Sequence, residues 1–276
     1  MRKISRIFVN LFAVLMLAFA CFSAVGCVER ITKLNVKVQV YNSAESKTQE
    51  VTLKVNLYGH LAEKTVNAIL ARINDGYYND AIFYKNQSES KQLMLGDLVE
   101  KDGKVELNSI SAPAIDGEFE RAGVVGSNLK NEKGAIGLWR SWYEKDGYKI
   151  TDNAMHTGEA TWYMPTESIS DYNGYFCVFA MIDLEDEDTA EALDLIISAL
   201  DGETQTYEVY YTGEYDAEKA DQDFGLTANC VQTDIFEEED FFKPEGAQLV
   251  KYQKRTVLVP VNEGVASARV VSITVA

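Results

Sequence analysis

The sequence predicts a mainly β fold, a barrel of strands whose open ends are capped by two helices. Many segments alternate apolar and polar residues or are rich in β-branched and aromatic residues, which is typical of strands. Only two segments have the helical spacing of apolar residues, one early and one late in the chain. Because many strands and two helices must share a core, a barrel closed by the helices fits this count.

The first two predicted strands form a hairpin. Residues 34–41 (LNVKVQVY) and 51–58 (VTLKVNLY) each alternate apolar and polar side chains, so each has one face for a core. The sequence between them, NSAESKTQE, is polar and rich in turn-forming residues. Two alternating segments joined by such a connection predict an antiparallel pair.

Two amphipathic helices are predicted, within residues 61–76 and 186–200. The sequence Asn74-Asp75-Gly76 gives the first helix its stop, and acidic residues at the start of the second suit a helix N-terminus. The apolar positions at i, i+3, i+4 and i+7 are Val66, Ile69, Leu70 and Ile73 in the first helix and Leu193, Ile196, Ile197 and Leu200 in the second.

The other strand candidates are short apolar segments. Residues 99–133 contain frequent Gly and Asn and are predicted to be mainly loops. The candidates are residues 81–83, 92–95, 134–139, 160–164, 174–182, 255–261 and 268–276.

The first 26 residues predict a secretory signal of the lipoprotein type. A basic start is followed by an apolar stretch at residues 7–22 and by small residues at 23–26, directly before Cys27. We therefore expect Cys27 to carry a lipid, residues 27–33 to form the anchor and a short linker, and residues 34–276 to form an extracytoplasmic domain. The alternatives are processing at Cys21, an ordinary signal peptide, and an uncleaved membrane anchor.

The charge of the chain limits its partners. Removing the three basic residues of the first 26 changes the formal net charge from −17 to −20. Such an acidic surface repels phosphate backbones and anionic lipid, so nucleic acid is excluded and the lipid anchor is the expected membrane contact.

Cofactor signals are missing from the sequence. The two histidines and the absence of a cysteine cluster argue against zinc, and there is no phosphate-binding loop. No cofactor is therefore expected. Beyond the signal segment only Cys177 and Cys230 remain, which allows either a disulfide or two buried thiols.

Five sequence segments, in chain order, resemble cyclophilin-type peptidyl-prolyl isomerases. They are VTLKVNLYGHLAEKTVNAILARINDGYYNDAIFY, GEFERAGVVGSNLKNEKGAIGLWR, EATWYM, DYNGYFCVFAMIDLEDEDTAEALDLI and ARVVSITVA. The resemblance covers residues 34–200 and 266–275, and it implies an eight-stranded barrel closed by two helices. Residues 201–262 are then an acidic insertion before the last strand.

The resemblance also implies how the site would work. In the family an apolar pocket holds the proline ring, and an arginine donates a hydrogen bond toward the prolyl nitrogen in the twisted transition state. In the sequence Phe83-Tyr84-Lys85, Lys85 takes the position of that arginine and is the candidate catalytic residue. Lysine lacks the planar fork of guanidinium, so reduced catalysis is expected. The alternative is an ordinary solvated lysine.

The resemblance places the substrate contacts on several aligned segments. Arg140 could reach the cleft, although a surface position is the preferred interpretation, and Leu138, Trp162 and Met164 are expected in the core. The implied substrate-binding residues are Tyr84, Gln92, Met94, Thr161, Tyr163, Tyr172 and Phe176.

Three functions follow from these observations. The first is a lipid-anchored, extracytoplasmic prolyl isomerase of reduced activity that acts on proline-containing polypeptides. The second is a non-catalytic relative that keeps the barrel as a peptide-binding or assembly module, which the substitutions at Lys85, Lys91, Gln92 and Met94 favour. In the third, residues 201–262, rich in tyrosine and acidic residues, form a separate partner-binding face.

Overall fold

The strands and helices follow the order expected from the sequence, in a computed structural model that describes residues 31–86, 89–108, 110, 112–124, 129–140, 144–145, 148–149, 158–212, 229–232 and 253–276. The signal segment and Cys27 lie outside the described residues. The strands are β1 (Ile31–Asn42), β2 (Lys47–Tyr58), β3 (Ala81–Asn86), β4 (Glu89–Lys101), β5 (Lys104–Leu107), β6 (Ala135–Leu138), β7 (Glu144–Lys145), β8 (Tyr148–Lys149), β9 (Trp162–Pro165), β10 (Val178–Ile182), β11 (Thr204–Thr212), β12 (Asn229–Gln232), β13 (Gln253–Asn262), β14 (Val265–Ala266) and β15 (Ala268–Val275). The helices are α1 (Glu63–Asn74) and α2 (Glu187–Ala199), with short 3-10 turns at Glu120–Ala122 and Ser170–Tyr172.

Eight of these strands close into a barrel. In order around the ring they are β3, β15, β1, β2, β10, β6, β9 and β4, and β4 pairs again with β3. All eight pairings are antiparallel. The prediction of a mainly β, eight-stranded closed barrel with two helices is therefore confirmed.

The hairpin at the start of the barrel follows from its alternating pattern. β1 and β2 pair along their whole length, from Ile31 opposite Tyr58 to Asn42 opposite Lys47. The apolar positions of β1 predicted for a core, such as Leu34 and Val38, are fully buried. Because side chains alternate between the two faces of a strand, one face lines the barrel interior and the other meets solvent.

Both helices contribute their apolar faces to the core inside the barrel. Val66 and Ile69 of α1 and Leu193 and Ile196 of α2 belong to the same apolar cluster as the inward residues of the strands. α2 begins where the Asp186 carboxylate accepts a hydrogen bond from the Thr189 amide at 3.0 Å, a typical N-cap. The predicted core positions Leu138, Trp162 and Met164 also lie in this cluster, so their assignment is confirmed.

A carboxylate from a distant loop caps α1. Ala62 stands at the N-cap position and offers no side-chain acceptor. The two oxygens of Glu118 instead accept hydrogen bonds from the amides of Lys64 (3.0 Å) and Thr65 (2.7 Å). These amides have no partner within the helix, so Glu118 stabilises both the helix start and the loop that carries it.

A second apolar cluster lies on the outer face of β3 and β4. β13 pairs with the end of β3 at Val257–Asn86 and Leu258–Lys85, and β11 and β12 extend the sheet beyond β13. Val257 and Val259 of β13 pack with Ile82 and Tyr84 of β3 in this cluster, and Tyr207 of β11 packs against it. Strands from the segment 201–262 therefore contribute apolar side chains to the cluster on the outside of the barrel.

Some local expectations differ from the structure. The region 99–133, predicted to be mainly loops, includes the last residues of β4 and all of β5, because β5 pairs with β4 from Leu98–Leu107 to Lys101–Lys104.

Cys177 is a free, buried cysteine, and burial raises the pKa of its thiol to about 12. The side chain of Cys230 lies outside the description. Neither helix in the described part of the chain has the length and hydropathy that a bilayer-spanning segment needs.

Candidate functional site

The outer face of three neighbouring barrel strands brings together most of the predicted substrate contacts. Tyr84 of β3 lies opposite Met94 of β4, and Met94 lies opposite Tyr163 of β9. Since residues opposite one another in a sheet share a face, these three side chains point to the same side. Phe176, from the loop before β10, joins them in the outer apolar cluster, and Tyr172 packs against it.

Four aromatic rings form the centre of this face. The Tyr163 ring lies 5.3 Å from that of Phe176 and 5.7 Å from that of Tyr172, both nearly perpendicular. Trp139 stacks on Phe176 at 5.5 Å and contacts Tyr163 edge-on at 6.1 Å. Tyr172 and Phe176 are 4.5 Å apart. These are favourable aromatic geometries, and they leave the four rings packed against one another.

Tyr163 is fixed by a hydrogen bond and by close packing. Its hydroxyl donates a hydrogen bond of 2.5 Å to the Asn131 side-chain oxygen, and both residues are almost completely buried. Gly137 of β6 packs so closely against the Tyr163 ring that any side chain at position 137 would clash with it. The sequence gives no local signal for the role of Asn131, which lies in a loop 32 residues before Tyr163.

Lys85, the candidate donor, lies on the opposite face of β3. Its partner across the sheet is Leu93, which belongs with Phe83 to the cluster inside the barrel, whereas Tyr84 belongs to the outer cluster. The Lys85 ammonium contacts the Asp201 carboxylate at 2.5 Å. The structure thus does not bring Lys85 together with Met94, Tyr163 and Phe176, and its catalytic role stays a prediction.

The polar residues of the outer face are mostly buried. The Tyr84 hydroxyl donates to the Asp97 carboxylate at 2.5 Å, and the Tyr84 ring is fully buried. Gln92 is also buried, whereas Thr161 and Tyr172 are half-buried. Of the seven predicted substrate contacts, only these last two present part of their side chain to solvent.

Arg140 is buried, so its preferred surface position is wrong. Its guanidinium lies 4.8 Å from the centre of the Phe176 ring and 5.2 Å from that of Phe119. Its Nε donates to the Tyr175 carbonyl at 2.9 Å. Two aromatic faces and a carbonyl compensate the loss of water around the charge, which explains how an arginine is accommodated here.

Beside β9 lies Glu159, a half-buried residue whose carboxyl group has a raised pKa. Burial raises the pKa of Glu159 to about 7, an effect that the Arg72 charge opposes and the Asp97 charge strengthens. Arg72 is itself buried at the end of α1, where its Nη2 donates to the Pro113 carbonyl. Its Nε and Nη1 have no hydrogen-bond partner among the described residues.

We expect the stability of the protein to fall as the pH rises from about 4.5 to about 7 because of Glu159. In that window the folded state keeps a proton that the unfolded state has already lost. Melting temperatures at about pH 5 and about pH 8 should therefore differ less for Glu159→Gln than for the unmodified protein. The matched control is Glu167→Gln, since Glu167 is exposed in an ion pair with Lys91. An unchanged pH dependence in Glu159→Gln would contradict the assignment.

Comparison with known proteins finds similarity among solved structures. No protein-family model and no curated protein matches this chain. A crystal structure of a cyclophilin type peptidyl-prolyl cis-trans isomerase from Cryptosporidium parvum is 18% identical, with a TM-score of 0.39, over 59% of this chain and 84% of that one. The structure of that isomerase in the presence of the dipeptide Ala-Pro is 20% identical, with a TM-score of 0.36, over 57% and 84%. In the part of the chain that the structure describes, no three His, Cys, Asp or Glu side chains form a group that could hold a metal ion.

Proposed function

We propose that this protein is an extracytoplasmic, lipid-anchored, cyclophilin-like module that binds or assembles polypeptides and is at most a weak prolyl isomerase. One observation carries the proposal: the residues aligned with the substrate contacts of an isomerase are built into an apolar core. Tyr84, Met94, Tyr163 and Phe176 pack there together with Val257 from the segment 201–262.

The chemistry of prolyl isomerisation explains why this packing matters. Catalysis needs a pocket for the proline ring and a hydrogen-bond donor directed at the prolyl nitrogen, placed to fit the transition state better than the substrate. Here the rings of Tyr163, Tyr172 and Phe176 pack against one another where the resemblance implies the pocket, and the ammonium of Lys85 lies on the other face beside Asp201. Both requirements are therefore poorly met by the geometry.

A polypeptide can still contact the exposed part of the aromatic face. Trp139, Thr161 and Tyr172 are half-buried, and the Trp139 amide donates to the Thr161 carbonyl at 2.8 Å. Aromatic surfaces of this kind suit proline-containing segments. A proline ring packs well on an aromatic ring, and a segment that contains proline is already extended before it binds.

The anchor is the second part of the proposal, and the signal-like residues 1–26 followed by Cys27 support it. Mass spectrometry of the mature protein is expected to show a lipid-modified Cys27 as the first residue. An unmodified N-terminus elsewhere would refute the anchor. A serine in place of Cys27 should release the protein from the membrane.

Prolyl isomerisation remains the second candidate, because one observation favours it. Tyr163 keeps an aromatic ring at the pocket position, and Phe176 and Tyr172 contribute two further rings within 6 Å of it. A pocket of this composition could hold a proline ring if its own side chains moved apart.

An isomerisation assay separates the two candidates. With a short X-Pro peptide and the fragment from Val28, we expect no acceleration over the uncatalysed reaction, which takes tens to hundreds of seconds. Lys85→Ala and Lys85→Arg should behave like the unmodified fragment, because Lys85 faces Asp201. An active cyclophilin is the positive control. Acceleration that Lys85→Ala abolishes would establish the isomerase and the catalytic role of Lys85.

A further inference from the structure

One short turn lies against the aromatic face without being part of the barrel. It is the 3-10 turn Ser170–Tyr172, whose internal hydrogen bonds run from the Tyr172 amide to the Ile169 carbonyl and from the Asn173 amide to the Ser170 carbonyl. The loop residue Asn131 fixes both ends of the turn. Its carbonyl accepts from the Ile169 amide at 2.8 Å, and its amide and side chain donate to the Asn173 side-chain oxygen at 2.9 and 3.0 Å.

The same asparagine links the turn to the pocket. Asn131 accepts the hydroxyl of Tyr163, the fully buried ring at the base of the aromatic face. The turn is therefore placed by the residue that also positions Tyr163. This arrangement sets the Tyr172 ring against both Tyr163 and Phe176, at 5.7 and 4.5 Å between ring centres.

Tyr172 and Trp139 differ in how they reach these rings. Trp139 directly follows β6, and its amide is bonded to Thr161 beside β9, so it is a wall of the pocket fixed by the barrel. Tyr172 sits on a turn outside the barrel strands, and its carbonyl accepts hydrogen bonds from the amides of Tyr175 and Phe176 at 3.0 and 3.2 Å. Its ring covers two rings that are 0% and 3% exposed, while remaining half-buried itself.

We infer that Tyr172 is an intramolecular ligand of the apolar site formed by the Tyr163 and Phe176 rings, and that removing its ring lets this site take a proline ring. This inference rests on the proposed function, since it takes the aromatic face to be the one that a polypeptide contacts. A side chain tethered beside its pocket has a high effective concentration, so an external peptide competes poorly with it. Self-occupation by Tyr172 therefore accounts for the close packing of its ring on Tyr163 and Phe176.

The test compares two tyrosines of the same loop in the full chain, held in detergent micelles. Tyr172→Ala removes the proposed intramolecular ligand, whereas Tyr175→Ala removes a side chain that is 37% exposed and leaves the carbonyl that Arg140 binds. The probe is N-acetylproline amide, and N-acetylalanine amide is the probe without the ring. Binding is measured by calorimetry and by the change in fluorescence of the three tryptophans, one of which, Trp139, stacks on Phe176.

We expect Tyr172→Ala to bind the proline probe at least about tenfold more tightly than the unmodified protein, Tyr175→Ala or Tyr172→Phe, with no gain for the alanine probe. A folded Tyr172→Ala that binds the proline probe no better than Tyr175→Ala would overturn the inference. If Tyr172→Ala lacks a cooperative melting transition, Tyr172→Leu provides the same comparison. Isomerisation by the unmodified protein as fast as by the active cyclophilin control would instead contradict the proposed function, so the two failures are distinguishable.

Discussion

Replacing Gly137 by alanine is expected to destabilise the protein by about 3 kcal/mol or more, at the upper end of the cost of overpacking a core. A Cβ atom at this position would lie 2.2 Å from Cζ and 2.3 Å from Cε1 and Oη of Tyr163. The ring cannot easily move away, because it is fully buried and its hydroxyl is bound to Asn131. Relief of the clash must therefore separate β6 from β9 or break that hydrogen bond.

Chemical denaturation measures this effect, and Gly202→Ala is the matched control. A Cβ at Gly202 meets only the Ala199 carbonyl, at an ordinary 3.5 Å, so the free energy of unfolding should change by less than about 1 kcal/mol. Adding Tyr163→Leu to Gly137→Ala removes the clashing ring atoms, and the double variant should lose less stability than the two single changes together. Equal stabilities of Gly137→Ala and Gly202→Ala would show that Tyr163 is not confined as described.

The barrel could be predicted because its evidence is local. The alternation in β1 and β2 and the helical spacing in α1 and α2 each depend on neighbouring residues. The start of α1 shows the limit of this approach. Its capping carboxylate, Glu118, is 53 residues from Thr65, so nothing near the helix indicates it.

The site was harder to predict because a shift of one residue moves a side chain to the other face of a sheet. Matching the sequence Phe83-Tyr84-Lys85 to a family pattern aligns residue types, but it does not determine the face of the sheet to which each side chain points. In the structure Tyr84 faces Met94 on the outside, and Lys85 lies opposite Leu93 on the other side. The structure therefore brings Tyr84, Met94 and Tyr163 together on one face, whereas Lys85 lies on the other.

Long-range packing accounts for the remaining differences. The pairing of Val257 with Asn86 joins strands 171 residues apart, and it brings the segment 201–262 onto the outer cluster. Arg140 was expected at the surface because arginine is seldom fully buried. Its burial depends on Phe119 and Phe176 lying on either side of it, which only the folded chain reveals.

Phe176→Ala is expected to cost about 3 to 5 kcal/mol of stability, the range for removing a large buried aromatic ring. The ring is 3% exposed and is the one that contacts Trp139, Tyr163 and Tyr172 together. It also provides one of the two aromatic faces around the Arg140 guanidinium, so its loss leaves a buried charge less well compensated.

The neighbouring Tyr175→Ala is the control for Phe176→Ala, and its free energy of unfolding should change by about 1 kcal/mol at most, as for other exposed positions. Phe176→Leu restores most of the apolar volume without the aromatic face, so it separates the two contributions. If packing dominates, Phe176→Leu should recover most of the lost stability, whereas a dominant role of the Arg140 contact predicts little recovery. Equal stabilities of Phe176→Ala and Tyr175→Ala would contradict the central position of this ring. Because three other rings and one guanidinium contact Phe176, we expect its removal to loosen the whole group of rings. Iodide should then quench tryptophan fluorescence more strongly in Phe176→Ala than in Tyr175→Ala.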